Sequence, residues 1–352
     1  MTLTPTLDGW TCPVPLRNYP TIVMGHGAGG KMMSDLIRHL FAAEFESPLL
    51  GQLADAATIG IEGHRLAFTT DSFVVSPLIF PGGDIGELAV NGTINDLAAV
   101  GARPLYLSVG YILEEGLPME ILARVSRSIA RASQAAGVQI AAGDTKVVNK
   151  GHGDGIFINT SGLGLIAHGV DIAPDRARPD DVILISGSIG DHGIAVMSVR
   201  EGLKFHTEIQ SDTAQLSDMV QAMIESRVEI RCLRDATRGG LAAVLNELAQ
   251  ASRVGMEFDE TKVPVRREVQ SACEMLGLDP LFIANEGKMV VVVAPAHADR
   301  ALDAMRKSKT GGQAAIIGRV VKDHPGMVVA RTSVGGSRVV DLPAGELLPR
   351  IC

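Results

Sequence analysis

An α/β architecture with α+β character, divided between two domains, is what the sequence predicts. Three observations lead there. The chain has 352 residues, more than one average domain holds. It is 46% hydrophobic and 20% charged, which gives material for large cores and is not the balance of a disordered chain. Strand-sized apolar segments alternate with segments of helical period along most of its length.

The elements follow in order. Residues 1–22 are proline-rich, lack periodicity and read as an extended arm. A glycine-rich stretch from Gly25 to Gly30 leads into a helix over 32–41. Leu66 to Asp71 reads as a strand ending in an acid, 86–100 as a helix and 105–111 as a strand. Leu122, Val125, Ile129, Ala132 and Ala136 recur at steps of three and four, so this segment is an amphipathic helix. Val138 to Ala142 is a strand closed by Gly143-Asp144, and 156–167 a longer strand. The polar, proline-bounded segment 174–180 marks a junction, so one domain spans 23–173 and a second 174–340. In the second, 182–186, 288–293 and 315–321 are strands, and 241–251 and 298–307 are helices. The tail, 341–352, has two prolines and no period, and reads as flexible.

Composition narrows the function. Aromatics are 4% and the net charge is −8 with no basic cluster, which disfavours nucleic-acid binding. Apolar runs fall short of the roughly 20 residues a membrane-spanning helix needs, and no secretory leader is visible. The four cysteines, Cys12, Cys232, Cys273 and Cys352, show no CxxC pairing, which fits a reducing cytoplasm.

Several motifs carry chemistry. Gly25-x4-Gly30-Lys31 approaches a phosphate-binding loop, but Met32 stands where the magnesium-binding hydroxyl should be. Asp71 and Asp144 at strand ends, with Asp96 in the 86–100 segment, suit Mg²⁺ if the fold converges them; singly, each reads as a cap or turn residue. Lys146 closely follows an apolar strand; partial desolvation would make it a proton acceptor, and otherwise it is a surface lysine. Glu286, just outside the strand at 288–293, reads as a general base or a turn residue. Asp235 and Arg238 lie in a glycine loop that opens a helix and can face an anion. His192 stands in a second glycine loop. Cys352 is the last residue, where a free thiol on a mobile tail suits a swinging carrier arm.

Taken together, HGAGGKMM (26–33), the run from Phe68 to Ser108, GDTKVV (143–148), SGSIGDHG (186–193), RDATRGG (234–240), ANEGK (284–288) and the final PRIC (349–352) resemble the HypE family of hydrogenase maturation factors. That family is part of the superfamily of aminoimidazole ribonucleotide synthetase, selenophosphate synthetase and thiamine-monophosphate kinase. PRIC is specific to HypE, whereas the aspartates are shared across the superfamily. A selenophosphate synthetase would place a cysteine beside its glycine loop, and Cys12 lies too far upstream of Gly27.

The resemblance implies a homodimer whose N-terminal sheets pair into a barrel, with ATP in a cleft near that interface and a C-terminal mixed sheet with helices. It implies an ATP-dependent carbamoyl dehydratase that converts an S-carboxamide on Cys352 to a thiocyanate. The carbamoyltransferase HypF would load Cys352, and a HypC–HypD complex would accept the cyanide for [NiFe] hydrogenase. By the family's pattern, Asp71, Asp96 and Asp144 hold Mg²⁺ and phosphate, and Gly27, Gly29 and Gly30 contact phosphate or close the site. Asp235 and Arg238 support the phosphate side, and Lys146 and Glu286 are the acid–base groups. The rival of another class is a carrier that only presents Cys352 and turns over no ATP.

Overall fold

The computed structural model describes residues 21–45, 47–202, 209–342, 348 and 350–352. Cys12 and most of the expected arm lie outside them. The first seven strands are β1 (Ala57–Ile61), β2 (His64–Phe73), β3 (Ile79–Phe80), β4 (Gly83–Asp84), β5 (Ala102–Glu114), β6 (Gln139–Val148) and β7 (Ile156–Ile166). Strands β3 and β4 form a small ribbon, and the others a five-stranded sheet in the order β1-β2-β7-β5-β6. A seven-stranded sheet follows, built from β8 (Val182–Ile185), β9 (Ile230–Asp235), β10 (Gly255–Asp259), β11 (Met289–Val293), β12 (Ala315–Val321), β13 (Val328–Arg331) and β14 (Ser337–Val340). Its order is β14-β13-β10-β12-β8-β11-β9. Both sheets are mixed: β5 and β6 are parallel, as are β10 and β13.

The sequence explains these positions. Strand β7 alternates buried and part-buried residues, as one covered face requires. Strand β11, all aliphatic, is buried at every position. Val291 and Val293 join one core and Val290 and Val292 another, so both faces of this central strand are covered.

The Ile85–Ala99 helix is buried around nearly its whole circumference, which its small apolar residues permit. It packs on β2, β7, the Met119–Ala135 helix, the Ser217–Glu225 helix and β9. Leu97, Ala98 and Ala99 share a core with Leu184, Met219 and Val291, so one helix joins the cores of both sheets. Asp84 caps it, accepting from the Gly86 and Glu87 amides at 2.9 and 3.2 Å and from the Ser128 hydroxyl at 2.5 Å.

Three expectations change. Strand β6 runs on through Gly143-Asp144 to Val148, because it pairs with β5 along Tyr106–Glu114. Asp71 likewise lies inside β2 rather than at its end. The chain terminus is seated: Ile351 and Cys352 are 2% and 7% exposed, packed with Phe73, Val75 and Phe80. Sequence reading passes over strands β1, β3, β4, β9, β10, β13 and β14. The helices Ser217–Glu225 and Arg267–Leu276 also went unread, although the second is strongly amphipathic. No helix among the described residues is long and apolar enough to cross a membrane.

Replacing Asp84 by Ala removes two cap bonds and the acceptor of a buried hydroxyl. Urea unfolding should report a loss of about 2 kcal/mol or more. An unchanged midpoint would show that the cap contributes nothing.

Candidate active site

Four aspartates converge where β2, the 85–99 helix and β9 meet. Asp71 comes from β2, Asp96 from the helix and Asp235 from the end of β9, while Asp55 precedes β1. One oxygen each of Asp55, Asp96 and Asp235 lies within 4.8 Å of the others. The Thr69 hydroxyl sits 2.8 Å from Asp96 Oδ2 and 2.9 Å from the Asp55 carbonyl. Arg234 Nε is 3.3 Å from Asp55 and 2.8 Å from Glu247.

With Asp235 buried and Asp55, Asp71 and Asp96 half-buried, this is a local excess of negative charge. Burial, opposed by Arg234, raises Asp55 to about 6. Burial and then Asp55 raise Asp235 to about 8. Asp96 is pushed well above the carboxylate range by burial and by Asp235, Asp71 and Asp55. Asp71 is also raised by burial, with Arg238 opposing. Such a cluster of hard oxygen donors holds protons or a divalent cation.

Glu286 is 3% exposed, and its Oε1 has no hydrogen-bond partner among the described residues. Burial first, then Asp235, Asp71 and Asp212, push its carboxyl well up. Its loop is fixed by backbone contacts. The Glu286 amide donates to Asp212 at 3.0 Å, and Asn95 reaches the Glu286 carbonyl at 3.4 Å. Asn285 accepts from the Gly190 amide at 2.7 Å and donates to the Ala236 carbonyl at 2.8 Å.

The two glycine-rich loops meet. Gly29 has φ +75°, and a Cβ there would fall 2.5 Å from Arg238 Cβ. Arg238 Nη1 lies 3.4 Å from the Gly27 carbonyl, and Gly30 caps the Lys31–Leu36 helix. Cys352 enters the same region. Its thiol is pushed up to about 12 by burial, with Arg238 opposing and Glu286, Asp71 and Asp235 adding.

Asp144 and Lys146 are not brought to this cluster. Both stand on β6, the edge strand, with side chains 70% and 69% exposed and paired at 2.6 Å. Lys146 is therefore solvated rather than desolvated, and the Lys146 hydrogen bond lowers the Asp144 carboxyl. Of the three expected metal-site aspartates, Asp71 and Asp96 meet, joined by Asp55 and Asp235. Sequence reading missed Asp55, Thr69 and Asp212. Asp55 carries no local signal; only the pairing of β1 with β2 sets it beside Thr69.

Residues 53–166 match the family "AIR synthase related protein, N-terminal domain", and residues 178–330 match its C-terminal counterpart. The protein named carbamoyl dehydratase HypE of Azotobacter vinelandii is 53% identical over 337 residues, covering 96% of this chain and 98% of that one. The chain belongs to the HypE family. Carbamoyl dehydratase HypE of Escherichia coli is 46% identical over 94% of this chain and 99% of its own length. Among solved structures, a HypE–HypF complex has a TM-score of 0.83 at 48% identity, covering 88% of this chain and 99% of that one. A HypE in complex with ATP has a TM-score of 0.80 at 48% identity, covering 94% and 100%. Thiamine monophosphate kinase from Aquifex aeolicus, at 19% identity and a TM-score of 0.62, shares the fold. The two-domain α/β reading thus holds for this HypE-family chain.

The raised carboxyls give a pH signature. Each binds more protons folded than unfolded, so its stabilising contribution is complete below the unfolded carboxylate range. It is lost as pH rises through about 6 for Asp55 and about 8 for Asp235. Without divalent cations, the melting temperature should fall from about pH 6 to about pH 9, and Asp235→Asn should flatten the fall. A profile that Asp235→Asn leaves unaltered would remove this residue from the titrating set.

Proposed function

We propose that this chain is the ATP-dependent carbamoyl dehydratase of a hydrogenase maturation system, and that the substrate is an S-carboxamide on its own Cys352. The observation that carries this reading is the buried chain terminus. Cys352 lies among the electrostatic neighbours Glu286, Arg238, Asp71 and Asp235, in a chain whose relatives include a HypE solved with ATP. Residues 23–173 then form the nucleotide-binding and dimerising domain, 174–340 the C-terminal domain and 341–352 the carrier tail.

The chemistry fits these residues. A carboxamide oxygen leaves poorly; transferred to phosphate, it leaves readily. The overall step takes R–S–C(=O)–NH2 and ATP to R–S–C≡N, ADP and phosphate, with the carboxamide oxygen carried off on the phosphate. The nitrogen loses two protons. Glu286 is our proton acceptor: a carboxylate whose basicity burial has raised, with an oxygen free to take one. Arg238 neutralises charge beside the Cys352 adduct. The glycines 27, 29 and 30, packed on Arg238, close the phosphate side.

The donor chemistry of the acid cluster fits Mg²⁺, which Asp55, Asp96 and Asp235 would hold with Asp71 beside them. Bound there, Mg²⁺ would neutralise phosphate charge during phosphoryl transfer.

Partners follow from the same reading. A HypF-type carbamoyltransferase loads Cys352, as the solved HypE–HypF complex of a relative suggests, and a HypC–HypD complex takes the cyanide. A second copy covers the open face of the five-stranded sheet, which exposes Phe68, Tyr106 and Ile112. Residues Gln139–Val147 of edge strand β6 are all exposed, an edge that calls for a partner. Asp144 and Lys146 stand on that edge, so any role in metal, phosphate or proton chemistry comes to them through the dimer. The reaction is placed in the cytoplasm.

Two experiments test this reading. Protein loaded by the carbamoyltransferase is cleaved after Glu346, and the peptide ending in Cys352 is weighed. It should lose one water only when Mg-ATP is added, and Asp71→Asn should abolish that loss while loading persists. A carboxamide that survives Mg-ATP in the unaltered protein would leave a carrier without catalysis. In the second, sedimentation should give twice the 37.1 kDa chain mass, and Ile112→Glu should shift it toward one. A monomer at micromolar concentration before any substitution would overturn the dimer.

A further inference from the structure

We infer that His192 is a positioning residue for the carrier tail, with Arg200 as its second grip, holding the backbone of residues 350–352 so that the Cys352 side chain stays at the Glu286–Arg238 site. The function of that grip rests on the carrier reading above; its geometry does not. The Val74 amide donates to a terminal carboxylate oxygen of Cys352 at 3.0 Å and the Ser76 amide to the Arg350 carbonyl at 3.3 Å. The two segments run in opposite directions, so the terminus adds a short antiparallel stretch just beyond the end of β2. The Ile351 carbonyl between them is not taken by that segment. His192 Nε2 takes it, at 2.8 Å.

A carbonyl oxygen only accepts, so Nε2 carries the hydrogen. Nδ1 lies 2.8 Å from the Ser211 hydroxyl, which accepts from the Thr213 amide at 3.1 Å; in the neutral ring this hydroxyl gives its hydrogen to Nδ1. Burial favours this neutral ring, with Asp212 and the Ile351 carbonyl opposing. Phe80 meets the imidazole edge to face, with centroids 5.4 Å apart, and fixes its plane.

Arg200 supplies the second grip. Its Nη2 donates to the Arg350 carbonyl at 2.7 Å and to the Ser76 carbonyl at 2.6 Å, tying the tail to the segment it pairs with. Arg350 also pairs with Asp154. Among the described residues, the hydrogen bonds from His192 and Arg200 to the tail reach main-chain oxygens and none reaches Cys352 Sγ. The same grip therefore serves a thiol, a carboxamide or a thiocyanate. Neither residue touches the reacting atoms.

Thiol labelling tests the grip without assuming the reaction. In a Cys12→Ser background, Cys232 and Cys273 are fully buried, so a maleimide reports Cys352. The unaltered site should label slowly and His192→Ala about tenfold faster, the worth of one buried hydrogen bond. His192→Gln, whose amide N–H can reach the same carbonyl, should restore slow labelling. Arg200→Met, at a half-buried helix end, should also label faster. In single turnover of loaded protein, His192→Ala should slow water loss with ATP affinity unchanged, and His192→Gln should recover it.

Labelling of the unaltered site at the rate of a free thiol overturns the inference. So does His192→Ala at the unaltered rate, or His192→Gln as fast as His192→Ala. If His192→Ala does not fold, unchanged labelling in Arg200→Met overturns it. A loaded, unaltered protein that loses no water counts against the proposed function alone, and the labelling comparison still decides the grip.

Discussion

Asp55, Asp71, Asp96 and Asp235 crowd together, half-buried or buried, around one end of the 85–99 helix, and among the described residues Arg234 and Arg238 are the cations that oppose them electrostatically. Such an arrangement is costly, and it persists because the helix beneath it is over-determined. Packing covers the helix on almost every side, Asp84 caps its start, and Asn95 fastens its end to the loop at 214–216 and to the Glu286 carbonyl. Gly92 lets Phe73 approach, since a Cβ there would come within 3.0 Å of the ring. The rigid core thus offsets the strain of a site that stays short of positive charge until a cation or extra protons arrive.

The terminus is governed by the same economy of charge. Burial holds the Cys352 thiol in its neutral form, so while seated it is a poor nucleophile and resists oxidation. Its backbone is held by neutral donors and one guanidinium, while its side chain lies among carboxyls. Anchoring and chemistry are therefore assigned to different atoms of the same three residues. In the proposed carrier role, the tail must be gripped firmly enough to react and loosely enough to leave, and main-chain hydrogen bonds of about 1 kcal/mol each suit that balance.

The five-stranded sheet presents the complementary situation. One face is covered by the 85–99 and 119–135 helices, and the other exposes Phe68 on β2 and Tyr106 and Ile112 on β5. In the proposed function a second copy covers that face. The edge residues Asp144 and Lys146 take their meaning from whatever covers it.

The sequence by itself determined the element types with long periods, the alternation of strands and helices, and the motifs that carry the family resemblance. The 119–135 helix was legible because its apolar stripe repeats over four turns, and β7 because its run is long. The identities of Glu286, Asp71, Asp96, Asp235, Arg238 and Cys352 as chemically loaded positions were also legible, since glycines and short apolar runs frame them. Tertiary structure alone decided which of them meet. Asp55 joins the cluster only because β1 folds back on β2, and Asp144 stays outside because β6 forms an edge rather than ending. It alone seats the terminus, which local propensity reads as free. Periodicity records how a segment meets its own neighbours along the chain. Convergence of charges far apart in sequence depends on strand order and register, which no local pattern encodes.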